Sequence, residues 1–286
     1  MQLFAFNHRQ QLIPAIHAKK QCDYRCLECG KMVRLRGGHH RQKHFYHVQA
    51  NHACSLHHKS MEHLQIQTYL YSLLSPADCI LERPFPEVSR IADVVWLSQK
   101  LIFEVQCSPI TQEEVQKRSQ DYRKCGYEIV WILHDRTFNR WRLCGAEVFL
   151  QAHTHYFTNI DKEGKGIIYD CFAWIEGGIR QQKMSPVEVK LNFPTICPPI
   201  EKKLPQFLKR RLATWKLHFQ GDLIDRFFNQ DAAPFAPLYF REIVQIEEAK
   251  EGKRLTWSQL FKYAFAQWVA RPYRLVFQLF LEKYSN

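Results

Sequence analysis

Two short apolar segments separated by only two residues constrain the fold of this chain more than any other feature. RIADVVWL (90–97) and KLIFEVQC (100–107) are rich in β-branched and aromatic residues, so they predict a β-hairpin that turns about Ser98 and Gln99. In such a hairpin the numbers of opposing residues sum to 197. Asp93 would then face Glu104, with Cβ atoms about 5 Å apart. The sequence therefore predicts two neighbouring carboxylates in an apolar setting.

The flanking segments extend this hairpin into a larger α+β unit. The predicted elements are a helix over 60–74, strands over 79–85, 90–97 and 100–107, a helix over 111–125 and a strand over 128–134. Thr111 and Glu114 have the spacing of a capping box at the start of the second helix, and Gly126 suits its end. The predicted order is αβββαβ.

The predicted acid pair favours a particular chemistry. Like charges at this spacing repel each other unless a cation lies between them. Oxygen ligands suit Mg²⁺ or Mn²⁺, and such an ion polarises a phosphodiester and generates a hydroxide nucleophile. Gln106 lies two residues after Glu104 and would share its face of the strand. The alternative is a pair of solvated acids on an exposed sheet face.

A second candidate metal site lies near the start of the chain. Cys26 and Cys29 form a CxxC motif, and His44 and His47 follow after 14 intervening residues. A Cys₂His₂ set of this kind predicts a closed tetrahedral Zn²⁺ site that stabilises a small module. Other nearby residues are candidates to replace a histidine, namely Cys22, His52, Cys54, His57 and His58. The alternative is a module that folds without metal.

The distribution of charge indicates a polyanionic partner. The net charge is +12, and residues 1–60 carry ten basic but only two acidic side chains. Residues 61–186 are nearly neutral, whereas residues 187–286 are again basic. This pattern favours DNA binding by the flanks, although a generally basic soluble protein would show it too. No apolar run has the length of a membrane span, so we expect a cytoplasmic protein.

The central motifs resemble those of the competence protein CoiA family. The resemblance covers about residues 1–135 and includes the N-terminal CLEC…HFYH pattern. The matching central residues are Asp93, Glu104, Gln106, Arg118, Tyr122 and Trp131. The resemblance implies a restriction-endonuclease-like core of the PD-(D/E)xK type, which would process DNA, mainly single-stranded, during transformation. It also implies that a recombinase or another transformation protein is a partner.

Two departures from the family pattern affect the predicted chemistry. Gln106 replaces the usual nuclease lysine, so Arg118 or Lys117 of the following helix would supply the missing positive charge. Gln67 likewise replaces a lysine four residues after His63. A further catalytic acid is expected at Glu62 on the first helix, with Glu82 as the alternative.

These observations predict three parts and two competing functions. The parts are a zinc-finger-like DNA-binding module (1–56), a nuclease-like core (57–150) and a basic, aromatic, mainly helical C-terminal region (151–286). The favoured function is a metal-dependent deoxyribonuclease with Asp93, Glu104, Gln106, Glu62 and Arg118 at its site. The alternative is a non-catalytic single-strand DNA-binding mediator that delivers DNA to a recombinase.

Overall fold

The protein is a mixed α+β structure in which strands outnumber helices among the described residues. The computed structural model describes residues 1–38, 41–183, 185–196 and 216–228, together with positions 261 and 265. Within these residues the helices are α1 (Met61–Leu73), α2 (Gln112–Lys124), α3 (Gly145–Leu150) and α4 (Leu223–Phe228). None of these helices is long and apolar enough to cross a membrane.

An antiparallel five-stranded sheet forms the N-terminal part. Its strands are β1 (Phe4–Phe6), β2 (Leu12–Pro14), β3 (Asp23–Arg25), β4 (Met32–Gly38) and β5 (Arg41–His47), in the order β2-β1-β3-β4-β5. Tyr24, Val33 and Phe45 are buried in a small core on this sheet. A 3₁₀ turn at Ser55–His58 then leads directly into α1.

A seven-stranded sheet forms the centre of the molecule. Its strands are β6 (Cys79–Phe85), β7 (Arg90–Trp96), β8 (Leu101–Gln106), β9 (Glu128–His134), β10 (His155–Thr158), β11 (Ile168–Asp170) and β14 (Val187–Glu188). From α1 to β9 the elements follow the predicted order αβββαβ. The sheet then continues through β10, β11 and β14, so it extends past residue 150.

The hairpin register is the one that the sequence predicted. Residues 94–96 of β7 pair with residues 101–103 of β8 so that each pair of numbers sums to 197. β9 lies parallel to β8 on its other side. One apolar layer, which includes Ile66 of α1 and Phe103, covers one face of the sheet. A second layer, which includes Val115 and Tyr122 of α2, covers the other face.

The predicted helix starts are also observed. Ser60 caps α1, and its side chain accepts a hydrogen bond from the backbone N–H of His63 (3.3 Å). Thr111 caps α2 in the same way through the N–H of Glu114 (3.2 Å). Gly126 follows α2 with a φ of 80°, the left-handed conformation that a glycine adopts without steric cost.

The described residues after position 150 form mainly strands. These include β12 (Ala173–Glu176), β13 (Ile179–Lys183), β15 (Lys190–Ile196) and β16 (Leu217–Gln220). Backbone contacts divide the chain into two units, Met1–Phe240 and Arg241–Asn286. Much of the region predicted to be mainly helical, namely residues 197–215 and nearly all of residues 229–286, lies outside the described residues.

Candidate active site and metal centre

Asp93 of β7 and Glu104 of β8 are buried on neighbouring strands of the seven-stranded sheet. They are the next residues beyond Val94 and Phe103, the last observed pair of the β7–β8 ladder. Their exposed fractions are only 3% and 1%. Both line a cavity of about 560 Å³. Glu28 and Leu56 line the same cavity, so it lies between the N-terminal part and the central sheet.

Four donors surround the Asp93 carboxylate. Its Oδ1 accepts hydrogen bonds from Lys59 Nζ (2.7 Å), His63 Nε2 (3.0 Å) and Gln67 Nε2 (3.0 Å). Its Oδ2 accepts one from the backbone N–H of Val105 (2.9 Å). Burial alone would raise the pKa of Asp93, but His63 and Lys59 outweigh it and hold that pKa well below its usual range. Asp93 is therefore an anion stabilised by protein groups.

Lys59 is a site residue that the sequence analysis missed. Its Nζ lies between Asp93 Oδ1 and Glu82 Oε1 (3.1 Å), and its side chain is only 9% exposed. Glu82 Oε2 in turn accepts hydrogen bonds from the backbone N–H groups of Leu3 (2.8 Å) and Phe4 (3.1 Å) on the N-terminal sheet. Helical periodicity gave no signal for Lys59, because this residue precedes Ser60, the N-cap of α1.

Glu104 has a different environment from Asp93. Its Oε2 accepts a hydrogen bond from Arg118 Nη1 (2.9 Å), whereas its Oε1 has no hydrogen bond of normal geometry to any described residue. Burial and the charge of Asp93 raise the pKa of Glu104, although Arg118 and the Tyr122 hydroxyl oppose this change. The guanidinium of Arg118 also lies 5.8 Å from the ring centre of Trp131. Arg118 thus neutralises Glu104 in the way that Lys59 neutralises Asp93.

The other predicted site residues lie at the edge of this cluster. Gln106 lines the cavity, and its Nε2 donates to the backbone oxygen of Ser108 (2.7 Å). Glu62 accepts a hydrogen bond from Arg136 (2.9 Å), and Arg136, rather than Glu62, lines the cavity. Lys117 is exposed on α2.

A candidate zinc centre lies in the N-terminal part. The ligand atoms of Cys26, Cys29, His47 and Cys54 all lie within 4.8 Å of one another. Cys26 Sγ and Cys54 Sγ are 3.7 Å apart, and Cys29 Sγ is 3.3 Å from His47 Nε2. Two sulfur ligands of a tetrahedral Zn²⁺ ion, each at about 2.3 Å, are separated by about 3.8 Å. The cluster therefore fits a zinc ion.

This cluster contains three of the four predicted ligands, and Cys54, one of the alternatives from the sequence, takes the place of His44. His44 and His47 are three residues apart on β5, and residues an odd number apart point to opposite faces of a strand. Only one of the two histidines can therefore face the cysteines. His44 is buried on the other face, where its Nδ1 lies 3.0 Å from the backbone oxygen of Gln42.

The fold and the two clusters define a mixed α+β protein that has a candidate zinc centre beside a cavity with two buried acids. Residues 59–189 match the family described as competence protein CoiA, nuclease-like domain. This match confirms the predicted resemblance for residues 59–189, which carry this family's nuclease-like domain. Residues 2–61 match a family described as a domain of unknown function, DUF7830. Searches of curated proteins and of solved structures each found no match.

Proposed function

We propose that this protein is a metal-dependent deoxyribonuclease that processes DNA during natural transformation and recombination. The observation that best supports this proposal is that Asp93 and Glu104, on the neighbouring strands β7 and β8, are buried and line the same cavity. The αβββαβ order around them is the order that a restriction-endonuclease-like core of the PD-(D/E)xK type requires. The relationship to a nuclease-like family supports DNA as the partner.

The two acids are the candidate ligands for Mg²⁺ or Mn²⁺. Glu104 offers the oxygen Oε1, which has no hydrogen bond of normal geometry within the described chain. Asp93 would exchange its contact with Lys59 for the ion. When bound, the ion would polarise the phosphodiester and lower the pKa of the attacking water. Both acids are hard oxygen ligands, so the donor set fits these two ions.

The remaining groups of the cavity would act on the phosphate and the water. Gln106 would orient the attacking water or a phosphate oxygen. Arg118 would offset the negative charge that develops on the phosphate, and Lys59 would add a second cation in the same cavity. Glu62 would hold Arg136 at the edge of the cavity.

The N-terminal part would serve as a DNA-binding module held together by Zn²⁺. In this proposal Cys26, Cys29, His47 and Cys54 bind the ion, which stabilises a sheet with only a small apolar core. The basic side chains of this part would neutralise phosphates without reading the sequence.

The experiment is a cleavage assay with labelled single- and double-stranded DNA in Mg²⁺, Mn²⁺ or EDTA. Metal-dependent cleavage that is lost in Asp93→Asn and in Glu104→Gln, but kept in Glu113→Gln, is the expected result. Glu113 is a suitable control because it is an exposed acid in the first turn of α2. Circular dichroism of each variant separates loss of chemistry from loss of fold. Cleavage that persists in both cavity variants would contradict the proposal.

Two observations favour the second candidate, a non-catalytic mediator that delivers single-stranded DNA to a recombinase. Both oxygens of Asp93 already accept hydrogen bonds from protein groups. The amide of Gln106 is held by Ser108 and supplies no positive charge. Salt-sensitive DNA binding without cleavage in either metal would establish this function, and Asp93→Asn would then leave binding unchanged.

A further inference from the structure

An arginine-rich segment connects the edge of the cavity to an exposed tryptophan. Arg136 lines the cavity, and its side chain is 58% exposed. The side chain of Arg140 donates to the backbone oxygen of Arg136, so the two residues are held together. Trp141 follows directly. Trp141 is five residues after Arg136, so the two Cα atoms are at most about 18 Å apart. A few nucleotides of single-stranded DNA would span this distance.

Trp141 is exposed on a backbone that is fixed from both sides. Its relative exposure is 59%, which is high for the residue type with the largest side chain. Its backbone oxygen accepts a hydrogen bond from the N–H of Arg180 (2.7 Å), and the N–H of Leu143 donates to Gly178 (2.9 Å). Arg142 forms a β-bridge with Ile179 of β13. An isolated β-bridge and two backbone hydrogen bonds thus attach the segment to the β12–β13 hairpin and hold the backbone of Trp141 in place.

The surroundings of this indole are cationic. Lys183 Nζ lies 5.2 Å from the ring centre of Trp141. Arg140 and Arg142 flank it in the sequence, and residues 136–142 contain three arginines and no acid. Exposed aromatic rings with cations beside them are the elements of a single-strand groove, since bases stack on the rings while cations neutralise the backbone.

We propose that Trp141 is a stacking platform for a base of single-stranded DNA, with Arg140 and Lys183 as contacts to the neighbouring phosphates. The strand would continue past Arg136 to the cavity. This inference rests on the proposed DNA partner but on neither cleavage nor a bound metal. The cations around Trp141 favour a nucleic acid as the partner. At a protein–protein interface, an exposed aromatic anchor is instead surrounded by apolar side chains, and charged residues are depleted at the centre.

The test is fluorescence anisotropy of a short labelled oligothymidylate with the full-length protein in EDTA. We expect Trp141→Ala to weaken binding about tenfold, and Trp141→Phe to retain most of the affinity because a phenyl ring still stacks. Lys183→Gln should reduce the slope of log K against log salt by about 0.7. Duplex DNA of the same length should bind almost equally to the unchanged protein, Trp141→Ala and Trp141→Phe, because its bases are already stacked.

Phe193→Ala is the matched control. Phe193 is an aromatic residue of similar exposure (52%) on β15, outside the arginine-rich segment. Unchanged single-strand affinity in Trp141→Ala, or an equal loss in Phe193→Ala, would overturn the inference. An equal loss for duplex DNA would also overturn it, and would indicate a general electrostatic surface. Absence of cleavage would contradict the proposed deoxyribonuclease activity but not the stacking role of Trp141, because this binding is measured without metal.

Discussion

The buried position of Lys59 makes Lys59→Met a sharp test of the site. Its Nζ contacts two carboxylates, those of Asp93 and Glu82, which are 3% and 1% exposed. Methionine fills a similar volume but leaves both acids without their cation. Breaking a buried ion pair in this way costs about 3–5 kcal/mol. For a unit of this size the corresponding drop in Tm is roughly 10 °C.

The loss of stability in Lys59→Met should become smaller as the pH falls. In the native protein the pKa of Asp93 lies well below its usual range, so its pairing stabilises the fold above about pH 4 and is lost in more acid solution. In Lys59→Met, burial without the cation would raise the pKa of Asp93 in the folded state above that in the unfolded chain. The folded variant would then bind more protons than the unfolded chain as the pH falls. The stability deficit should therefore be smaller at about pH 5 than at about pH 7.

Urea unfolding followed by far-ultraviolet circular dichroism measures both effects. Lys117→Met is the control, because Lys117 is exposed on α2 and its replacement should change stability by less than about 0.5 kcal/mol. Adding Glu82→Gln to Lys59→Met should recover part of the loss, since one of the two uncompensated charges is removed. A deficit below about 1 kcal/mol, or one that does not shrink in acid, would refute the assignment of Lys59 as the cation for these acids.

Three further predictions concern other parts of the molecule. Cys54→Ser should remove bound zinc, as measured by elemental analysis, whereas His44→Ala should retain it; the opposite result would restore the original ligand set. Arg118→Met should raise the pKa of Glu104 further, so thermal stability lost near neutral pH should partly return in acid, and a pH-independent loss would contradict this. Gly37→Ala should lower Tm by several degrees, because Gly37 has a φ of 129° and an added Cβ would lie 2.7 Å from Lys43 Cα. Gly38→Ala, where nothing lies within 4 Å of the added Cβ, should change Tm little.

The sequence alone predicted the features that depend on neighbouring residues. The αβββαβ order follows from apolar periodicity and capping residues, and the register of the β7–β8 hairpin follows from a turn of two residues. The CxxC motif predicted two of the four members of the zinc cluster for the same reason. The relationship to the CoiA family also rested on motifs that are short in sequence.

The tertiary structure decided which groups surround these residues. Lys59 reaches Asp93 and Glu82 because the start of α1 packs against β6 and β7, and Glu82 is held by the backbone of β1. Cys54 joins the zinc cluster because the segment after β5 folds back, whereas strand alternation turns His44 away. Such neighbours are selected by packing between segments that are distant in sequence. Local spacing carries no information about that packing, so only the folded chain determines which cations neutralise the two buried acids.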